Sequence, residues 1–302
     1  MKRIGFQIAT LFISVSIFVS CNKNKSDRFV DIDGHKQHIL DMGEGTPVVV
    51  FITGAGVDLN NFNAVQSEIA TLTRTLSYDR AGIGISEELN TARSVDHFAY
   101  ELNEILEKEN IAPPYLVVSH SLGGFTARWF AHAYPDKVVG MVLIDPAYEG
   151  FMDTIRNTRS EDQRRRMKDM VDLGISNTRK TTRKELDMLK KDEELMRSAL
   201  LPATIPITML TSARFSERER KKGVIAEDIA KWVKFHERLK LQAPQLKHIV
   251  TERSGTFIHQ DEPALVITEI KSILAELKRK SEPESKNDET VNEDTLNMPE
   301  QN

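Results

Sequence analysis

The chain has 302 residues, of which 40% are hydrophobic, and a formal net charge of −4 at pH 7. This length and apolar content are sufficient for one large or two ordinary globular domains. Acidic and basic residues are nearly balanced, so the composition gives no reason to expect a nucleic-acid partner.

The first 21 residues have the layout of a secretory signal peptide. Met1-Lys2-Arg3 gives a basic start, residues 4–20 carry no charge, and Cys21 is the single cysteine of the chain. The residues up to Cys21 resemble the lipobox of bacterial lipoproteins, which implies a lipidated cysteine and a cell-envelope location outside the cytoplasm, periplasmic or at the cell surface. An uncleaved membrane anchor over the apolar stretch is the alternative. Residues 22–28 are expected to form a polar tether.

Residues 29–150 alternate between strand-like and helix-like patterns. A hairpin with Asp33-Gly34 at its turn is expected first. A continuous apolar run at 46–53 is typical of a strand covered on both faces. Further elements are predicted in the order helix 59–72, strand after 74, helix 94–110, strand 113–121, helix 122–135 and strand 138–146. This alternation predicts an α/β fold with a mostly parallel, doubly wound sheet.

The rest of the chain divides into three segments. Residues 151–203 are rich in charge, with Met and Leu at helical spacing, and are predicted to be an inserted helical cap. Residues 204–278 return to the strand and helix pattern and complete the core. Residues 279–302 are polar and mostly acidic, which predicts a disordered tail. We interpret Met152, Met167, Met170, Leu186 and Leu189 as packing the cap against the core.

Residues 117–124 read VVSHSLGG, a β-branched run followed by a serine and two glycines. A sharp turn from a strand to a helix would expose the Ser121 hydroxyl and aim the first N–H groups of the helix at whatever the serine attacks. The usual pattern is G-x-S-x-G, and Ser119 is small enough to replace the first glycine. The alternative is a serine that ends the strand without chemistry.

Together with YDRAGIGIS at 78–86, VVGMVLIDPA at 138–147 and SGTFIHQDEP at 254–263, this turn resembles the α/β-hydrolase fold superfamily over about residues 29–277. The resemblance implies that Ser121 is a nucleophile and that the backbone N–H groups of Ala55 and Leu122 form the oxyanion hole. A serine at this position argues against epoxide-hydrolase and dehalogenase chemistry, in which the nucleophile is a carboxylate.

The general base is the point at which this sequence departs from the family. The resemblance implies a catalytic histidine at position 256, where this chain has Thr256. His259, three residues later, is the candidate base if the loop is remodelled. Two further interpretations stay open: the base has been lost, or another histidine serves.

The acid that orients the base also has two candidates. The resemblance implies either Asp145, at the end of the sixth strand, or a carboxylate after the seventh strand, where Glu217 is nearest. We prefer Asp145, because the carboxyl ends of parallel strands face the site in open α/β sheets.

The sequence therefore predicts a serine hydrolase that acts on a small ester or related acyl compound through an acyl-enzyme intermediate. The alternative is a non-catalytic binding protein on the same scaffold. The expected partners are a small-molecule substrate and, through the lipid on Cys21, a membrane. The histidines show no ligand spacing with acids or with the cysteine, so no metal or organic cofactor is expected.

Overall fold

A computed structural model describes residues 25–221 and 224–281. The predicted signal peptide at 1–21, the lipidation site Cys21 and residues 282–302 of the predicted tail lie outside these ranges. Within them, no helix is both long enough and apolar enough to cross a bilayer.

The core is an eight-stranded sheet. Its strands are β1 Lys25–Ile32, β2 His35–Met42, β3 Val48–Ile52, β4 Thr75–Tyr78, β5 Tyr115–His120, β6 Val138–Ile144, β7 Ile207–Ser212 and β8 Lys247–Thr251. Their order in the sheet is β1-β2-β4-β3-β5-β6-β7-β8. The strands β1 and β2 form an antiparallel hairpin, β2 pairs antiparallel with β4, and all other pairs are parallel.

Eleven α-helices are found in the described residues. They are α1 Asn63–Ile69, α2 Val95–Lys108, α3 Gly123–Ala133, α4 Phe151–Asn157, α5 Glu161–Ser176, α6 Lys180–Asp187, α7 Leu189–Met196, α8 Glu217–Lys221, α9 Ala226–Glu237, α10 Ile258–Asp261 and α11 Pro263–Ser281. Short 3₁₀ helices precede α1 (Leu59–Phe62), follow α3 (Pro135–Lys137) and follow α9 (Arg238–Leu241).

The central strands are buried on both faces, which explains their uninterrupted apolar sequences. All residues of β3 and β5 are buried. Successive side chains of a strand point to opposite faces. Val48, Val50 and Ile52 therefore pack on one side with α2 and α3, whereas Val49 and Phe51 pack on the other with α1 and α11. The sheet is thus covered by helices on both faces, as the alternating pattern predicts.

The helices α4 to α7 lie between β6 and β7 in the chain, within the segment predicted to be a cap. Two buried carboxylates attach them to the core. Asp192 of α7 accepts a hydrogen bond from the backbone N–H of Val95 at 2.8 Å. Glu185 of α6 forms an ion pair with Arg80, with 2.7 Å between Nε and Oε1. The cap is therefore joined to the core by polar contacts as well as by apolar packing.

Three element boundaries differ from those expected. The strand β1 begins at Lys25, inside the segment 22–28 predicted to be a tether, because residues 25–28 pair with the end of β2. The helix predicted over 59–72 is a 3₁₀ turn followed by α1, which ends at Ile69. The last helix continues to Ser281, beyond the predicted core boundary at residue 278.

Candidate active site

Ser121 lies at the turn between β5 and α3 with a left-handed φ of 52°. This backbone conformation costs a non-glycine residue about 1–2 kcal/mol. Neighbouring elements hold it in place, because Ser121 N–H donates to the carbonyl of Ile144 at 3.0 Å and its own carbonyl accepts from Ala147 N–H at 2.9 Å. The strained conformation is therefore imposed by the end of β6.

Gly123 explains why the turn needs a glycine two residues after the serine. A Cβ atom at this position would lie 2.6 Å from the carbonyl oxygens of Ile52 and Thr53. Both belong to backbone that cannot swing away. The start of α3 consequently packs directly against the end of β3, which is the close approach that the sequence pattern predicts.

Ser121 lines a cleft of about 670 Å³ between the carboxyl ends of the strands and the cap. A volume of this size is typical of small-molecule sites. Most of the lining is apolar and comes from the cap, α3 and α9, including Phe125, Phe151, Met152, Ile155, Met167, Leu189 and Trp232. Met152, Met167 and Leu189 thus line the cleft, whereas the sequence suggested only that they pack the cap against the core.

The two predicted oxyanion donors belong to the segments on either side of the Gly54–Ser121 contact. Gly54 packs against the turn between β5 and α3 at Ser121, which we call the elbow. A Cβ atom on Gly54 would lie 3.1 Å from both Ser121 Cβ and His120 Nδ1. Ala55 follows Gly54, and Leu122 follows Ser121. Within the described part of the chain, neither the Ala55 N–H nor the Leu122 N–H donates a hydrogen bond. Both donors are therefore free for a ligand oxygen.

Asp145 also lines the cleft and is 7% exposed. Its Oδ1 accepts from the indole N–H of Trp232 at 2.7 Å and from the backbone N–H of Ser212 at 3.1 Å. Burial raises the pKa of the Asp145 carboxyl to about 6, against the opposing effect of these bonds and of one from the Thr256 hydroxyl. The carboxylate is thus held next to residue 256.

Thr256 lines the same cleft, at the position where the family resemblance implies a histidine. Its side chain lowers the pKa of the Asp145 carboxyl, and its Oγ1 lies 3.4 Å from Nε2 of His120. The structure therefore brings Ser121, Asp145 and Thr256 together around one cleft.

His259 is placed elsewhere. Its ring is 1% exposed, stacks on Phe62 with 4.5 Å between ring centroids, and hydrogen-bonds through Nε2 to the side chain of Asn61. It is not among the residues that line the cleft. The helix α10 begins at Ile258, so Thr256 precedes it and the two residues do not share a helical turn. The structure does not bring His259 to the cleft that Ser121 lines.

His120 is the last residue of β5, and its ring packs against the rings of Phe257 and His259. Its ring centroid lies 4.6 Å from that of His259 and 4.8 Å from that of Phe257. Burial lowers the pKa of His120 to about 4 and also lowers that of His259, so both imidazoles are neutral near pH 7. His120 does not line the cleft itself, although its Nε2 lies 3.4 Å from the Thr256 hydroxyl oxygen, which does.

Glu217, the alternative acid, begins α8 and is largely exposed, with Arg220 as its ion-pair partner at 3.6 Å. It does not line the cleft. Trp232 was not identified from the sequence, because no motif marks one residue of an amphipathic helix as the donor to a buried carboxylate. Across residues 25–221 and 224–281, no group of three or more His, Cys, Asp or Glu side chains could hold a metal ion.

Three comparisons with known proteins agree on the fold. A family model described as alpha/beta hydrolase fold matches residues 47–245. The uncharacterized protein YqjL of Bacillus subtilis is 29% identical over 238 residues, which are 78% of this chain and 87% of YqjL.

Solved structures give the same result. The epoxide hydrolase VrEH1 from Vigna radiata superposes with a TM-score of 0.64 at 14% identity, over 83% of this chain and 98% of that one. The carboxylesterase CesB from Bacillus subtilis gives 0.57 at 14% identity, over 84% of this chain and 92% of that one. At such identities the likeness concerns the fold alone.

Replacing Asp145 by Asn should change how stability depends on pH. The folded chain binds a proton at Asp145 more tightly than the unfolded chain, whose pKa is 3.8, so the wild type loses stability as the pH rises from about 4 to about 6. A shift of about two pKa units corresponds to about 3 kcal/mol. Urea denaturation should therefore show the stability of wild type relative to Asp145→Asn falling by about that amount from pH 4 to pH 8. Parallel curves would mean that Asp145 is not buried as described.

Proposed function

Because the chain belongs to the alpha/beta hydrolase fold family, we propose that it hydrolyses an ester with an apolar acyl group, using Ser121 as the nucleophile. The observation that carries this proposal is the strained backbone of Ser121 together with two unpaired N–H groups on neighbouring segments, those of Ala55 and Leu122. Attack of Oγ on the carbonyl carbon places negative charge on the carbonyl oxygen, which these donors stabilise. Losing one such donor typically costs about 2.7–4 kcal/mol of transition-state stabilisation.

The serine proton needs an acceptor, and no imidazole lines the cleft among the described residues. We assign this role to Asp145, acting through Thr256. The Thr256 oxygen accepts the proton of Ser121 while its own proton passes to the Asp145 carboxylate. The raised pKa of Asp145 favours this step, because a carboxylate with a pKa nearer neutrality is a better base.

The remaining steps reverse this transfer. Asp145 returns the proton through Thr256 to the leaving alcohol, which leaves an acyl group on Ser121. A water molecule then attacks the acyl carbon and gives its proton to the same pair, and Ser121 regains a proton as the acid product departs. Every proton that the pair accepts is returned within one turnover.

The cleft supports an apolar acyl group as the substrate. Aromatic and Met side chains from the cap and α9 dominate its lining, and the rings of Phe151 and Trp232 pack edge to face at 4.5 Å. Burying one methylene group of a chain in such a site contributes about 0.8 kcal/mol. We therefore expect preference for acyl chains longer than acetyl.

A non-catalytic binding protein is the second candidate, and the specific observation that favours it is Thr256. A hydroxyl holds its proton far more tightly than an imidazolium, so the relay is weaker than a serine-histidine pair. In this alternative the same cleft and the same two N–H groups bind an acyl compound without cleaving it.

Hydrolysis of p-nitrophenyl acetate and octanoate by wild type and Ser121→Ala separates the two candidates. We expect wild type to exceed Ser121→Ala by at least about 100-fold on the octanoate ester, since the attacking oxygen is lost. Equal rates for the two proteins, with octanoate binding still detected by calorimetry, would exclude the hydrolase and favour the non-catalytic binding protein.

A series at residue 256 tests the proton acceptor. Thr256→Ser should keep kcat within about fivefold, whereas Thr256→Val should lower it by about 100-fold, because the relay hydroxyl is removed. Thr256→His should raise kcat by introducing an imidazole beside Asp145.

His259→Gln is the matched control for this series, because His259 belongs to α10 and lies outside the cleft. It should leave kcat within about threefold of wild type. A large loss in this variant, with Thr256→Val unaffected, would return the role of base to His259.

We also propose that Cys21 carries a lipid that holds the protein at the cell envelope, outside the cytoplasm. The support is the sequence pattern alone. Wild type should partition into the detergent phase of Triton X-114 and Cys21→Ala into the aqueous phase. If Cys21→Ala stays in the detergent phase, the apolar N-terminal segment itself is the anchor.

A further inference from the structure

Arg80 and Glu185 form a buried ion pair between the core and the cap. They are 3% and 4% exposed, and Arg80 Nε lies 2.7 Å from Glu185 Oε1. Arg80 follows β4, and Glu185 belongs to α6 of the cap. Neither side chain lines the cleft.

The guanidinium of Arg80 donates hydrogen bonds to two carbonyl groups in the loop after β3, which carries the Ala55 N–H. Its Nη1 donates to the Thr53 carbonyl at 2.8 Å, and its Nη2 donates to the Gly54 carbonyl at 2.7 Å. The Gly54 carbonyl and the Ala55 N–H belong to one planar trans peptide group, in which they point in opposite directions. Holding the carbonyl towards Arg80 therefore turns the Ala55 N–H away from Arg80 and fixes its direction.

Glu185 completes the arrangement from the cap. Its Oε2 accepts from the backbone N–H of Gly56 at 3.0 Å, while Oε1 holds Arg80. Gly56 has a φ of 67°, and a Cβ atom there would lie 2.5 Å from the Thr182 hydroxyl oxygen. The helix α6 thus packs directly on the loop that carries the Ala55 donor.

We propose that Arg80 and Glu185 are positioning residues, through which docking of the cap sets the direction of the Ala55 N–H and so assembles the oxyanion hole. The cap then has two tasks: it encloses the apolar part of the ligand, and it orients the donor for the developing charge. This inference rests on the proposed function, because it concerns the oxygen that Ser121 makes negative.

Hexylboronic acid tests the geometry without requiring turnover. Its boron accepts the Ser121 oxygen, the serine proton is released, and a tetrahedral boronate with one negative charge forms, one hydroxyl oxygen of which occupies the oxyanion hole. Hexan-1-ol fills the same cleft but forms no such adduct. The affinity of each is measured by calorimetry, and ¹¹B NMR reports tetrahedral boron.

Glu185→Gln should lower the affinity for hexylboronic acid by 10- to 100-fold and abolish the tetrahedral boron signal. It should change the affinity for hexan-1-ol by less than threefold. Asp192→Asn is the matched control, since Asp192 is also a buried cap carboxylate that accepts from a core backbone N–H, at 2.8 Å from Val95. It should stay within threefold of wild type for both ligands. An equal loss in Asp192→Asn would mean that general loosening of the cap is responsible and would overturn the inference.

Two outcomes separate this inference from the proposed function. If wild type and Ser121→Ala bind hexylboronic acid equally, the nucleophile assignment fails, whatever Glu185 does. If binding depends on Ser121 but Glu185→Gln equals wild type, the positioning role alone fails.

Glu185→Gln leaves the Arg80 charge buried without its partner, which can prevent folding. The double variant Arg80→Met with Glu185→Leu removes both charges, and apolar replacement of a buried pair is often tolerated. The double variant should lose affinity for hexylboronic acid while keeping its affinity for hexan-1-ol. An unchanged affinity for hexylboronic acid in this variant would overturn the proposal.

Discussion

The close approach of α3 to the end of β3 is the constraint on which the site depends. Gly123 allows the first turn of the helix to contact the carbonyls of Ile52 and Thr53, and this contact brings the elbow next to the loop that follows β3. Ser121 and the Leu122 N–H belong to the elbow, and the Ala55 N–H belongs to the loop. One short contact between two backbones therefore fixes the position of the loop relative to Ser121.

The fold and the elbow could be predicted from the sequence because both depend on local patterns. The apolar runs of β3 and β5 require burial on both faces, and the glycines after Ser121 meet a steric requirement that any helix packed on a strand imposes. The location of Asp145 at the cleft was predictable for a similar reason, since the carboxyl ends of parallel strands lie at one edge of the sheet.

The surroundings of these residues were less predictable, because they depend on which distant elements meet. The sequence could not show that Trp232, 87 residues after Asp145, donates to its carboxylate. Nor could it show that Glu185 of the cap meets Arg80, which lies 105 residues earlier in the chain. For His259, the assumption of a shared helical turn with Thr256 did not hold, because α10 begins after residue 256 and His259 packs on Phe62.

The position of β1 has a consequence for the orientation of the molecule on a membrane. The strand begins four residues after Cys21, and four residues span at most about 14 Å. Lys25 pairs with Met42, which pairs with Thr75 at the start of β4, so the chain enters the fold at the amino ends of the parallel strands. The cleft opens at their carboxyl ends. A lipid on Cys21 would hold the opposite end of the domain against the headgroups, and ligands would then reach Ser121 from the aqueous side.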